Sequence, residues 1–187
     1  MGTLDLFRLD GKRALVTGAS GALGSAMARR LAAQGASVLL HANSRPDAVQ
    51  ALAESIHGAG GQARTLVFDL GDDNATRAAC EQMLADGAVQ IVINNAGVHD
   101  DAVFPALRAE QWHRVIDVSL NGFFRVTQPL LLPMLRTRWG RIVNISSAAA
   151  IGLSMMPGAT AFTVTPRLAT SSDSARVALF SAPLAAA

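Results

Sequence analysis

Apolar residues along this chain follow two alternating rhythms. Short unbroken runs come first, and each is followed by a segment whose apolar positions recur every three or four residues. Residues 13–17 form the first run and predict a strand. Gly18 to Gly24 make a glycine-rich turn, and a helical pattern follows, with Leu23, Met27, Leu31 and Ala32 on one face and Gly35 at its end. Residues 37–42 predict a second buried strand, and residues 43–46 a turn. Pro46 suits the first turn of the next helix, which spans 47–57 with Val49, Leu52, Ala53 and Ile56 inward. The glycines at 58, 60 and 61 close it. A third strand is predicted over 65–68, a helix over 73–84 capped by Asp72 or Asp73, and a fourth strand over 90–93. Residues 109–138 predict one long helix with a wide apolar face that includes Trp112, Leu120, Phe124, Val126 and Leu130. Pro129 and Pro133 predict a kink there or an end near Arg136. Residues 141–145 predict a fifth strand. Strands that lack polar alternation and take turns with helices indicate an α/β protein, its parallel sheet covered on both faces.

Beyond about residue 148 the rhythm fails. Residues 148–187 are rich in Ala, Ser, Thr and Pro and hold a single acid, Asp173, so they are expected to form an irregular, poorly ordered tail behind a domain of residues 1–147. With 187 residues, 50% of them hydrophobic and 16% charged, the chain suffices for one globular core. Its net charge of +2 comes from single Arg residues scattered among acids, which offers no cationic stripe and points away from nucleic acid. Cys80 is the one cysteine, so no internal disulfide forms and a reducing compartment is expected. The first ten residues lack the order of a secretory signal, and no apolar run approaches the roughly 18 residues of a membrane span. A cytoplasmic protein without a membrane partner is expected. The four histidines have no metal-ligand spacing, so no metal site is expected either.

Chemistry is concentrated where strands end. A strand that enters a tight glycine turn and then a helix leaves backbone N–H groups at the helix N-terminus, where they and the helix dipole favour a pyrophosphate. Such a turn is on its own equally compatible with a structural bend. Three further segments fall at strand ends: Asp69 after the third, Asn94-Asn95-Ala96-Gly97 after the fourth, and Gly140-Arg-Ile-Val-Asn-Ile-Ser-Ser147 along the fifth.

Together with Thr17-Gly-Ala-Ser-Gly-Ala-Leu-Gly24, these segments resemble the successive markers of the short-chain dehydrogenase/reductase family over roughly residues 9–165. The wording of the long helix is most similar to 3-oxoacyl-[acyl-carrier-protein] reductases of fatty acid biosynthesis. The resemblance implies a Rossmann-type doubly wound parallel sheet of about five strands in the order 3-2-1-4-5, incomplete at its C-terminal edge. It also implies a dinucleotide held by Gly18, Ser20, Gly21, Leu23 and Gly24, by Asp69 and Leu70, and by Asn95, Ala96 and Gly97. Asp69 would accept from the adenine amino group, although it also suits a helix cap. At the second strand's end NAD-using relatives place an acid, whereas this chain has Asn43, Ser44 and Arg45, which favours NADP. Arg45 also suits a solvated surface charge. Ala22 stands where the family's middle glycine is usual, and Gly21 lies one place early.

Family members reduce a carbonyl with hydride from the nicotinamide, a proton from a Tyr, a Lys that lowers that Tyr's pKa, and a polarising Ser. Ser147 fits the serine, and Ser119 falls where an Asn is usual, with Asn121 two residues on. The chain has no Tyr, and its single Lys, Lys12, precedes the first strand at the end away from the crevice. Alignment puts Phe162 at the Tyr position and Pro166 at the Lys position. A truncated or frameshifted reductase homologue is therefore expected, inactive toward an acyl-carrier-protein-bound or other small carbonyl substrate. The frameshift is testable in the coding DNA, because a shifted frame across Pro166-Arg167 can contain a Lys codon. A non-catalytic NADP(H)-binding sensor or scaffold is the alternative from another class. The missing family elements leave the fifth strand as an expected open edge, and the long helix as an expected homo-oligomer contact.

Overall fold

A computed structural model describes residues 7–100, 102–146 and 162–164. Five strands run parallel: β1 (Arg13–Val16), β2 (Ser37–Ala42), β3 (Gln62–Val67), β4 (Ile91–Asn94) and β5 (Arg141–Ser146). Their order in the sheet is β3-β2-β1-β4-β5. This is the doubly wound order that the sequence implies. Beside β5 lies a sixth strand, β6 (Phe162–Val164), antiparallel, with Asn144 opposite Val164 and Ser146 opposite Phe162. The expectation of an open edge at β5 is thereby corrected. Phe-Thr-Val is an aromatic residue followed by two β-branched ones, a composition that suits an added strand. Ser147 and Pro166 lie outside the described residues.

Both faces of the central strands β1, β2 and β4 are buried, which is why these read as unbroken apolar runs. Ala14, Val16, Val38, Leu40, Ile91 and Ile93 point to one side, where they meet α1 (Ala22–Ala33) and α2 (Pro46–Gly58). Leu15, Leu39, Leu66 and Val92 point to the other and meet α3 (Asp73–Ala85) and α5 (Gly122–Arg136). Each Val or Leu so buried stabilises the fold by about 1.5–3 kcal/mol against exposure. Asp72 caps α3, its carboxylate accepting from the amides of Asn74 and Ala75.

Two helices differ from expectation. In α1 the buried face carries Gly24, Ala28 and Ala32, whereas Leu23 is 54% exposed. Small residues let this helix lie close to the sheet, which turns the large Leu23 outward. The long helix over 109–138 divides into α4 (Ala109–Ile116), a π turn (Asp117–Asn121) and α5, which ends at Arg136 with Pro129 and Pro133 inside it. At the end of the π turn the Gly122 N–H donates to the Asp117 carbonyl five residues back. Arg125 fixes the turn from α5, donating to the carbonyls of Asp117 and Leu70 and pairing with the carboxylates of Asp117 and Asp73. The apolar face expected across this stretch divides too. Val126, Leu130 and Met134 are buried, while Trp112, Leu120 and Phe124 are 40%, 57% and 63% exposed. Trp139 is half-buried against the core, with the Lys12 ammonium 4.8 Å from its ring centroid and the Arg141 guanidinium 5.1 Å away. Among the described residues, no helix is long and apolar enough to cross a membrane.

Candidate functional site

Because β1 to β5 are parallel, their C-terminal ends share one edge of the sheet, and four of the sequence markers meet there. The glycine turn leaves β1 at Gly18, which has φ +65°. A β-carbon there would stand 2.9 Å from Ala96 Cα, so the turn needs both the left-handed backbone and the missing side chain. Gly24, in the first turn of α1, is as tightly placed. A β-carbon on it would fall on the Gly18 carbonyl oxygen and 2.8 Å from Asn95 Nδ2. Gly21 is the N-cap, with an ordinary extended backbone (φ −85°), and no side chain caps the helix. The N-terminal amides of α1 therefore face the edge without a protein oxygen provided by a cap.

The turn is bonded to the end of β4. Thr17 Oγ1 accepts the amides of Asn95 and Ala96, both at 2.9 Å, and donates to the Ile93 carbonyl at 3.3 Å. Asn95 Nδ2 donates back to the carbonyls of Thr17 and Gly18, at 3.0 and 3.3 Å. Below it, buried Asn94 Nδ2 donates to Thr127 Oγ1 at 3.0 Å and to Asn144 Oδ1 at 2.9 Å, which joins β4 to α5 and β5. Such a network fixes the edge, since each group would be costly to bury unpaired. On the other side of β1, the His41 imidazole lies between the Gly18 amide and the Phe68 carbonyl. Burial pushes its pKa down, while the Phe68 carbonyl and then the Asp69 carboxylate act in the opposite direction.

Ser20 and Gly21 lie in the turn, Leu23 and Gly24 in the first turn of α1, and Asn43, Ser44 and Arg45 stand exposed at the end of β2. Asp69 is exposed at the end of β3. One of its carboxylate oxygens accepts the Gly71 amide at 2.8 Å, and the helix cap that it also suited is supplied by Asp72. Leu70 turns its side chain into the core, so its backbone is what faces the edge. Gly97 is exposed after Asn95 and Ala96. Ser119, on the π turn, comes close to it: a β-carbon at Gly97 would be 3.5 Å from Ser119 Oγ, and that hydroxyl is a buried side-chain oxygen without a hydrogen-bond partner among the described residues. Asn121 is not brought in with Ser119, because its Nδ2 donates to Asp117 Oδ1 at 3.0 Å. Asp117 itself is held below the usual carboxylate range, first by its hydrogen bond from Arg125 and then by that from Asn121. Phe162 joins the edge through its backbone, opposite Ser146.

Two residues of this edge were not singled out as site residues from the sequence. Thr17 is the last residue of an apolar run, and its position directly before a glycine turn was the available signal. His41 sits inside an apolar strand, where a lone His signals nothing by spacing.

The arrangement can hold a phosphate-bearing ligand: bare backbone at Gly18 and Gly24, helix amides at α1, and a rigid strand end at Asn95. Residues 12–164 match the short chain dehydrogenase family. Nodulation protein G of Rhizobium sp. (strain N33) is 39% identical over 156 residues, which are 83% of this chain and 61% of that protein. A 3-oxoacyl-[acyl-carrier-protein] reductase of Aggregatibacter actinomycetemcomitans is 39% identical over 142 residues, 73% of this chain and 57% of that enzyme. Among solved structures, a 3-oxoacyl (acyl-carrier-protein) reductase of Agrobacterium tumefaciens C58 with NADP bound superposes with a TM-score of 0.71 at 33% identity, covering 76% of this chain and 55% of that one. This chain thus spans less than two thirds of the length of these relatives. The glycine turn, the strand-end asparagines and the match over most of its residues together establish that the chain belongs to the short-chain dehydrogenase family.

Proposed function

We propose that this chain binds NADP(H) along the C-terminal edge of its sheet, as the nucleotide-binding part of a 3-oxoacyl-type carbonyl reductase, and that as it stands it does not turn substrate over. The observation that carries the binding is the cradle made by the uncapped N-terminal amides of α1, held at the strand edge because Gly18 and Gly24 pack against Ala96, Asn95 and the Gly18 carbonyl where a β-carbon would collide. In this reading Gly18, Ser20, Gly21, Leu23 and Gly24 hold the pyrophosphate. Asn43, Ser44 and Arg45 take the 2′-phosphate, and Asp69 and the Leu70 backbone take the adenine. Asn95, Ala96 and Gly97 border the nicotinamide side, and the Ser119 hydroxyl, unmet among the described residues, faces them. Solved relatives crystallised with NADP support that choice of cofactor.

When bound, the nicotinamide supplies hydride chemistry; the protein must add a proton donor. Ser147, at the family's serine position, remains to polarise a carbonyl. The chain has no Tyr, and Lys12, its single ammonium side chain, lies at the opposite end of the sheet beside Trp139. Phe162 has no proton to give. Loss of a general acid alone costs roughly 10²- to 10⁴-fold in rate. NADPH titration and an NADPH oxidation assay with a 3-oxoacyl thioester test both halves. Saturable binding without turnover is expected; absence of binding sinks the first half, and turnover well above a no-enzyme control sinks the second. A non-catalytic NADP(H)-binding sensor or scaffold is the second reading, supported by the same cradle beside the same missing acid. Cooperative folding of the isolated chain with tight binding favours it.

A further inference from the structure

His41, at the end of β2, has both ring nitrogens in use although the side chain is buried. The Gly18 amide nitrogen is 3.2 Å from Nδ1, and the Phe68 carbonyl oxygen is 3.0 Å from Nε2. An amide can only donate and a carbonyl can only accept, so Nδ1 must be bare and Nε2 must carry the proton. One tautomer of the neutral ring satisfies both neighbours. An imidazolium, with a proton on each nitrogen, sets Nδ1–H against Gly18 N–H. The His41 carbonyl also accepts the Ala19 amide at 2.8 Å, so ring and backbone hold successive residues of the glycine turn. The Phe68 ring lies against the imidazole, with centroids 4.3 Å apart, which continues the contact to the end of β3 just before Asp69.

We infer that His41 is a positioning residue for the nucleotide edge: Nδ1 holds Gly18 in its left-handed turn, Nε2 ties that turn to the end of β3, and the edge is assembled only while the ring is neutral. The inference rests on the NADP(H) reading given above. Around the ring, Thr17 and Gly18 of the β1 end and Leu66 and Phe68 of the β3 end carry no charge. Asp69 is the charged side chain that acts on it. Burial favours the neutral ring more than Phe68 and Asp69 favour the charged one. An unfolded imidazole titrates near about 6.5. The folded ring titrates lower, so the assembled edge is fully present above the unfolded value and is lost as pH falls through the folded one.

The test is NADPH titration of the full chain followed by fluorescence, together with heteronuclear NMR of the same chain without nucleotide. His41→Asn keeps an acceptor near the Nδ1 position and removes the titrating group. His41→Gln reaches toward the Nε2 position and leaves the Gly18 amide unmet. At about pH 7.5, His41→Asn is expected to bind NADPH within about threefold of the unaltered chain, and His41→Gln about tenfold more weakly. As pH is lowered below the ordinary imidazole value of about 6.5 and until His41 is seen to titrate by NMR, the unaltered chain is expected to lose affinity more steeply than His41→Asn, which carries the background titration of the 2′-phosphate. By NMR, Nδ1 is expected unprotonated near neutral pH, with the Gly18 amide resonance moving as His41 titrates. Should either variant fail to fold, the NMR of the unaltered chain decides. Equal affinities for the two variants, parallel pH profiles, or a Gly18 amide indifferent to His41 overturn the inference. NMR coupling of Gly18 to His41 without any NADPH binding sinks the NADP(H) reading and leaves the positioning of the turn standing.

Discussion

Gly24 and Asn95 meet so closely that a β-carbon on the glycine would stand 2.8 Å from the asparagine Nδ2, the group that also bonds the carbonyls of Thr17 and Gly18. The start of α1 is therefore pressed against the end of β4, and the width of the edge between them is set by the absence of one methyl.

Gly24→Ala should force the turn apart, because the new carbon would also stand 2.9 Å from Ala19 Cα, which is backbone and cannot swing away. Overpacking of this kind costs about 1–3 kcal/mol. Gly21→Ala is the matched control. Its β-carbon would be 3.4 Å from the Gly18 carbonyl oxygen, and φ is −85°. The reduced entropy of the unfolded chain and the poorer N-cap offset each other to within about 0.5 kcal/mol. Thermal melting of the two variants checks the contrast, and equal losses would remove Gly24 from its role.

Thr17→Val replaces a buried hydroxyl by a methyl of the same shape and leaves the amides of Asn95 and Ala96 without their acceptor. Both residues are half-buried, so water compensates in part, and a loss of about 2 kcal/mol is expected. Thr17→Ser keeps the oxygen and should recover most of it. Urea unfolding measures both, with the midpoint shifting at constant slope.

The sheet was legible because burial on both faces writes a strand as an unbroken apolar run, as in Val38 to Leu40. The inward face of α2 was legible because Val49, Leu52, Ala53 and Ile56 recur at helical spacing, and the start of α3 because Asp72 suits a cap. What stayed hidden depends on distant partners. The outward turn of Leu23 follows from the fit of Gly24 against Asn95, 71 positions further along the chain by the numbering. The π turn is fixed by Arg125 reaching the Leu70 carbonyl, a tertiary bond without a local pattern. Of the edge itself, the glycines and asparagines could be read from their order at strand ends. His41 could not, since its two partners belong to β1's turn and β3's end.

Asp117 gives the π turn a pH dependence. Its carboxyl is held low by Arg125 first and Asn121 second, so it contributes stability above the ordinary carboxylate value of about 3.9 and loses it as pH falls through its lower folded value. The side chain is 37% exposed, which limits the pair to about 0.5 kcal/mol. Asp117→Asn should therefore cost about that much at neutral pH and nothing once both states are protonated. Chemical denaturation at the two pH values would show it, and a difference that persists in acid would refute the assignment.

In the proposed binding mode, Arg45 bears the choice between NADP and NAD. It stands exposed at the start of α2, beside Asn43 and Ser44. A charge-assisted bond to a 2′-phosphate is worth about 1.5–3 kcal/mol, so Arg45→Asp should weaken NADPH at least about tenfold. NADH has no phosphate there and should lose little. Parallel titrations of the two nucleotides read the ratio, and equal losses would return Arg45 to the solvated surface.

The outer side of α5 carries the last expectation. Leu120, Phe124, Leu132 and Leu135 are exposed on the π turn and helix, a larger apolar group than isolated surface residues need. If a second copy covers this face, the chain should associate with itself in sedimentation, and Phe124→Glu should shift it toward monomer. Phe124 is 63% exposed in the single chain, so the same change should leave the monomer's stability within about 0.5 kcal/mol. A chain that sediments as a monomer before any substitution would rule the contact out. A variant that unfolds instead would place Phe124 in the monomer's core, against its exposure.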